Sequence, residues 1–366
     1  MMAIKQVFTF LPYGFFAVTM LTFVLTSGFG RRAKVLWTLV LAFCSSKFLC
    51  FRLFGGDTFY PEFPEFVIWF WNWAYSASIV LCGLSLVWWH RRSRGWLLPL
   101  LAALVSAWGL LSGLCLPNVR EVEFAYPDLP EELDGYRIVQ LSDIHASSAA
   151  RRWRTERLVA LANAAHADLV CVTGDLVDGP VDRRRDDIAP LAQLRAKDGV
   201  YFVAGNHEFY FDWPAWKAEY RRLGLRFLAN ECVFPRKSLA LGGVNDFAAW
   251  GMEGQALDVL PDVRQAFAAA TNGEFRVLLQ HQPKWARENA KEVGVRLQLS
   301  GHTHGGVMPG ISWLVGRHNL GFVRDVHDLD GSFVYVHSGS GQWAGFPMRF
   351  FAPSEIAVIV LRKGSR

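Results

Sequence analysis

Three stretches of this chain, residues 7–26, 66–89 and 95–119, run for a bilayer's thickness without one charged side chain. A helix crossing the hydrocarbon core needs about 20 apolar residues, so each stretch can span. A fourth, 35–54, is interrupted by Lys47 and Arg52 and reads as a span or as a re-entrant or interfacial helix. The first stretch is too long for a signal peptide. Arg31, Arg32 and Lys34 follow it where a cleavage site would carry small residues, so it reads as an uncleaved span. The expectation is a membrane domain over 1–117, with about four transmembrane helices, and a second domain over 118–366.

Charge separates the same two parts. Residues 1–117 hold nine Lys and Arg against three Asp and Glu, and residues 118–366 hold 29 against 30. The larger part thus lacks the positive balance of a nucleic-acid binder, and a nuclease is not expected. Arg31, Arg32 and Lys34 lie between the first and second stretches, and Arg91, Arg92 and Arg94 between the third and fourth. The intervening loop carries Asp57, Glu62 and Glu65. Basic loops stay in the cytoplasm. The chain beyond the last span is therefore expected at the outer side of the cytoplasmic (inner) membrane.

Near Pro117 the pattern changes, and Pro127, Pro130 and a cluster of acids read as a linker. Short apolar runs then alternate with helical stretches: strands at 136–141, 168–172, 200–203, 275–279, 295–299, 333–336 and 356–361, and helices at 153–165 and 188–196. Such alternation predicts an α/β domain with mostly buried strands. Cys171 and Cys232, the two cysteines beyond the membrane stretches, read as buried and free.

Five of these strands end in polar motifs. They are Ser142-Asp143-Ile144-His145, Gly174-Asp175-Leu176-Val177-Asp178, Gly205-Asn206-His207-Glu208, Gln280-His281 and Gly301-His302-Thr303-His304-Gly305-Gly306. Open α/β sheets bind ligands at the carboxyl ends of their strands. Carboxylate, amide and imidazole donors without a thiol suit divalent Mn, Fe or Zn. Two such ions, with Asp175 between them, would make water nucleophilic and clamp a phosphate ester.

The five motifs in this order resemble the calcineurin-like metallophosphoesterases, from about residue 133 to residue 361. The longer context, including Trp343-Ala344-Gly345-Phe346-Pro347-Met348-Arg349, is similar to the membrane-attached bacterial branch of that family. The resemblance implies a two-sheet sandwich flanked by helices and two divalent metal ions. It implies that Asp143, His145 and His304 bind the first metal, that Asn206, His281 and His302 bind the second, and that Asp175 bridges them. His207 matches the catalytic histidine, which contacts the phosphoryl oxygens or protonates the leaving group. Val307 departs from the branch, where glutamine is frequent. Asp178 reads as an orienting or turn residue, and Glu208 as a partner that orients a histidine or a loop.

Two arginine clusters follow catalytic loops: Arg151, Arg152, Arg154 and Arg157, and Arg183, Arg184 and Arg185. They read either as solvated helix starts or as an electropositive rim that collects anionic substrates. The expected activity is hydrolysis of a phosphate ester or pyrophosphate bond in a small molecule or lipid. One alternative is the same chemistry facing the cytoplasm, on a nucleotide-activated envelope lipid. The other is a catalytically silent membrane scaffold, which predicts missing ligands, and all seven are present.

Overall fold

The computed structural model describes residues 2–55, 57, 59–88, 96–251, 260–271, 273–308, 311–345 and 348–364. Arg91, Arg92 and Arg94, which carry the orientation argument, lie outside the described residues, as do Phe346 and Pro347. The chain forms two compact units. One comprises Met1–Leu114 and Ala344–Arg349, the other Cys115–Trp343 and Phe350–Arg366.

In the first unit, α1 (Met2–Thr19) passes into a π-helical turn, Met20–Leu25. α2 (Arg31–Ser45) and α3 (Lys47–Phe54) follow, then α4 (Glu65–Val87) and α5 (Leu97–Leu114). Among the described residues, α4 and α5 are each long and apolar enough to cross a membrane. The 35–54 stretch is not a straight span, because α2 and α3 meet at a bend of 55°. Among the described residues two helices pass this test, or three if the bent pair counts as one span, and Phe10–Leu25 is a shorter apolar helix.

Lys47 explains why this bend needs a partner. It is fully buried, and a charge among apolar helices must find a polar or aromatic neighbour. Its Nζ donates to the Ala344 carbonyl at 2.8 Å and lies 4.6 to 5.5 Å from the ring centroids of Phe48, Tyr75 and Phe51. The same C-terminal piece bonds α5, through Arg349 N–H to the Gly109 carbonyl at 3.1 Å. Between helices, Thr22 Oγ1 and Ser85 Oγ are 2.6 Å apart.

The second unit packs two six-stranded sheets face to face. Its strands are β1 (Asn118–Tyr126), β2 (Arg137–Leu141), β3 (Leu169–Thr173), β4 (Val200–Val203), β5 (Arg226–Phe227) and β6 (Glu231–Arg236). They continue as β7 (Leu239–Gly243), β8 (Phe275–Leu279), β9 (Leu297–Ser300), β10 (Asp325–Asp328), β11 (Phe333–Val336) and β12 (Glu355–Lys363). The orders are β1-β12-β2-β3-β4-β5 and β10-β11-β9-β8-β7-β6. β2, β3 and β4 are parallel neighbours, as are β7, β8 and β9.

Side chains alternate across a strand, and the sandwich core follows that period. Leu169 and Cys171, Leu239 and Leu241, Val277 and Leu279, Leu297 and Leu299, and Ala357, Ile359 and Leu361 share one buried cluster. The intervening Ala240 and Leu278 pack in another, with Phe267. Cys171 is buried, and both it and Cys232 are free thiols.

Two expectations need correction. The proposed linker after Pro117 is β1, paired in parallel with β12 over all nine of its residues. The helix expected at 188–196 is instead α-helical over Val181–Ile188, with a 3₁₀ turn at Ala189–Gln193. Pro190 has no N–H to continue the α-helical ladder.

Candidate metal centre

β2, β3 and β4 of one sheet, and β8 and β9 of the other, deliver their motifs directly beyond their last residues. Three overlapping groups result: Asp143, His145 and His304; His145, Asp175 and His207; and Asp175, His281 and His302. Within each, one ligand atom per residue lies within 4.8 Å of the others. Asp175 Oδ2 is central, at 3.3 Å from His281 Nε2, 3.8 Å from His145 Nε2 and 3.9 Å from His207 Nε2. His304 Nε2 is 3.0 Å from His145 Nε2 and 3.6 Å from Asp143 Oδ1.

The backbone is bent to make this possible. Asp143, His145, Asp175, His302 and His304 all have positive φ, between 48° and 71°. Non-glycine residues seldom adopt that region, although Asp and His do so more readily than most. Hydrogen bonds hold the loops there: Asp143 N–H to the Gly174 carbonyl and His145 N–H to the Asp175 carbonyl, each at 3.0 Å. Close approach also requires two glycines. A Cβ on Gly205 would lie 2.2 Å from Asp175 Oδ1, and one on Gly301 would lie 1.9 Å from Ser142 Oγ.

Neighbours orient the candidate ligands. Asp178 Oδ1 accepts from His145 Nδ1 at 3.0 Å and from His207 Nδ1 at 2.6 Å. His281 Nδ1 donates to the Thr173 carbonyl at 2.6 Å. Both His145 and His281 thereby turn Nε2 inward. Ser142 Oγ donates to Asp143 Oδ2 at 2.6 Å. Glu208 does not touch a histidine ring through these bonds. Its carboxylate accepts from the backbone N–H groups of Asp175, Leu176 and Gly205, and from the Tyr220 hydroxyl.

Charge is divided unevenly among the buried groups. Burial opposes ionisation of Asp178, yet His145 and His207 hold its pKa down at about 2. Burial also opposes the His207 cation, but Asp175 and Asp178 raise its pKa to about 9. His281 is raised well above the usual imidazole range, with Asp175 outweighing burial. His302 moves well below that range through burial and its positive neighbour His281. Burial and the Asp175 charge push Glu208 up to about 7.

These residues fit a pair of divalent cations. Asn206 Oδ1 is a buried amide oxygen with no hydrogen-bond partner among the described residues, and buried His281 Nε2 faces the Asp175 carboxylate at 3.3 Å. Buried polar atoms are rarely left so unless an ion or water completes them. Carboxylate, amide and imidazole donors match Mn, Fe or Zn.

Six of the seven candidate ligands, and His207, lie in these groups; of Asn206 the structure shows a buried side chain whose Oδ1 has no hydrogen-bond partner among the described residues. The arginine run does not behave as one unit. Arg183 and Arg185 are exposed on α7 (Val181–Ile188), which follows β3 as α6 (Arg152–Ala164) follows β2. Arg184 is 0% exposed. It donates from Nε to the Asp178 carbonyl at 3.2 Å and from Nη1 to Asp187 Oδ2 at 3.1 Å. It supports the Asp178 loop and is not part of a rim, because its charge is already paired inside the fold. Arg154 is likewise buried and reaches the Cys115 carbonyl.

Sequence reasoning missed Ser142, Tyr220 and Trp343 as neighbours of the site. Trp343 meets the His207 ring edge-on, with centroids 5.8 Å apart and planes at 85°. Ser142 precedes the first ligand, which was an available signal. Tyr220 lies outside the motifs and offered none, and Trp343 opens the tail segment quoted above, which carried no sign of its contact with His207.

The family model for calcineurin-like phosphoesterases matches residues 136–306. A "Transmembrane protein with metallophosphoesterase domain" from Danio rerio is 33% identical over 274 residues, covering 72% of this chain and 62% of the relative. An uncharacterized metallophosphoesterase of Helicobacter pylori is 33% identical over 263 residues, covering 71% of this chain and 68% of the relative. The chain thus spans about two thirds of the length of these curated relatives. Among solved structures, a dimetal phosphatase from Danio rerio aligns with a TM-score of 0.36 and 15% identity, covering 57% of this chain and 88% of that one.

Proposed function

Because the chain belongs to the calcineurin-like phosphoesterase family, we propose that it is a membrane-anchored, two-metal phosphoesterase acting on a phosphate ester or pyrophosphate bond. The observation that carries this reading is the convergence of five strand ends on Asp175, whose Oδ2 lies 3.3 to 3.9 Å from three imidazole nitrogens. Asp143, His145 and His304 would hold one ion, and Asn206, His281 and His302 the other, with Asp175 shared. When bound, the two ions supply Lewis acidity and a nucleophilic water at neutral pH.

The protein's own residues do the rest. Asp178 fixes the rings of His145 and His207 through their Nδ1 atoms, which leaves each Nε2 to face the centre. His207 is the proton donor to the leaving oxygen, a role that needs hydrogen-bond reach to the ester. Ser142 and Glu208 keep the Asp143 and Asp175 loops in place. The substrate is a phosphorylated small molecule or a lipid, and nucleic acid is not expected. The basic loops around Arg31 and Arg91 support placing the catalytic domain outside the cytoplasm.

The test is a metal-by-substrate screen on the purified full chain. Mn, Fe and Zn are loaded in turn, and each form is assayed on a monoester, a diester and a pyrophosphate. Turnover that a chelator abolishes and the metal restores is the expected result. A fully metal-loaded protein inert towards all three classes would overturn the reading.

A further inference from the structure

Val307 immediately follows the glycines after His304 and has φ +59°. For a β-branched residue this is a true conformational outlier. Phe351 is a second bulky residue in the same region, with φ +60°. The residue before Phe351 is tied to Val307: Phe350 N–H donates to the Val307 carbonyl at 2.9 Å. Strain of this kind persists only where the surrounding structure enforces it, and it concentrates at ligand clamps and active sites.

Between these residues lies a cleft of about 400 Å³, lined by Gly305, Met308, Trp313, Val323, Phe350 and Phe351, with Ser312 and Arg324. Gly305 is the residue after the candidate ligand His304, so the cleft adjoins the metal centre. Its size falls in the range of small-ligand sites. Trp313 is 61% exposed and Phe351 is 68% exposed. Large side chains held in water at the mouth of an apolar cleft mark a surface that another apolar group covers. Arg324 adds a cation at this cleft, with Nη1 donating to the Phe351 carbonyl and Nε 3.8 Å from Asp325.

We propose that this cleft binds the acyl or alkyl chain of a phosphorylated lipid whose phosphate occupies the metal centre. The proposal rests on the phosphoesterase reading above and names its substrate class. A cation beside an apolar cleft complements an anionic head with an apolar tail. The chain's own apolar helices also place it where such amphiphiles are found.

The test uses the full chain in nanodiscs, loaded with the metal that supports turnover, and ethyl, butyl and hexyl phosphate as substrates. Each methylene moved from water into the cleft tightens binding, so KM for the hexyl ester should be lower than for the ethyl ester by about tenfold or more. Trp313→Ser and Phe351→Asn should each reduce that ratio to about threefold or less, and Trp313→Phe should restore it. Metal content, measured on each variant, reports whether the site has folded. A wild-type KM independent of chain length would overturn the proposal, and so would variants that hold metal and keep the wild-type ratio. Calorimetric binding of hexylphosphonate against methylphosphonate gives a readout independent of turnover. Tighter hexylphosphonate binding that Trp313→Ser removes, in a protein that hydrolyses nothing, would sink the enzymatic reading and keep the cleft.

Discussion

His207 Nδ1 lies 2.6 Å from Asp178 Oδ1, as short as the His281 bond to the Thr173 carbonyl and shorter than the 3.0 Å bond from His145. The same oxygen accepts from His145, so one carboxylate sets both a candidate ligand and the candidate acid. Asp178→Ala should lower turnover by about 10- to 100-fold, the usual cost of losing a group that orients a ligand. Asp178→Asn should fall between it and the wild type, since its carbonyl still accepts the Nδ1 proton but carries no charge. Steady-state rates with metal-to-protein ratios check this order. An alanine variant with wild-type turnover would remove Asp178 from the machinery.

Metal binding and proton transfer should separate at two other positions. Asp175→Asn takes the negative charge from between two dications and should lose both metal and activity. His207→Ala should retain metal while turnover drops by about 10²- to 10⁴-fold, the range for general acids. The drop should be smaller for nitrophenyl esters, whose leaving groups need little protonation. Metal analysis and rates on two leaving groups decide it. Equal slowing on both esters, or an emptied site, would make His207 a phosphate clamp or a ligand.

The three consecutive arginines should diverge. Arg184→Ser takes the charged partner from buried Asp187, which keeps the Arg152 N–H, and breaking a buried pair costs about 3–5 kcal/mol, visible as an earlier thermal transition. Arg183→Ser with Arg185→Ser should change stability by less than about 0.5 kcal/mol. If those two steer anionic substrates, KM should rise at low salt and the difference should vanish at high salt.

This divergence shows where sequence stops informing. A run of three arginines offers no periodic clue that the middle one turns inward. The catalytic strands were legible because each is a short apolar run closed by glycine and polar residues. β1 was hidden because Arg120, Glu121 and Glu123 make an edge strand look like a polar linker. The candidate ligands were legible as acids, an amide and imidazoles at successive strand ends. Their left-handed backbone and the Trp343 contact depend on tertiary packing, which no local pattern encodes.

Orientation is tested most directly from the C-terminus. A phosphatase reporter fused after Arg366 should be active, and a fluorescent protein that matures only in the cytoplasm should stay dark. The opposite pair of results would place the catalytic domain in the cytoplasm. Replacing Arg91, Arg92 and Arg94 with Glu should weaken the preference, because positive residues dominate orientation.

The bond between Lys47 and the Ala344 carbonyl joins residues 297 positions apart. Synthesis proceeds from the N-terminus, so the helices of the first unit emerge long before the stretch that accommodates this ammonium group. Until then the Lys47 ammonium has the rings of Phe48, Phe51 and Tyr75 beside it but lacks the Ala344 carbonyl. The hydrogen bond that completes its surroundings therefore forms only after residue 344 has been made. Assembly of the N-terminal unit becomes one of the last events in the chain's maturation, and a truncation before Ala344 should leave a bundle that quality-control proteases recognise.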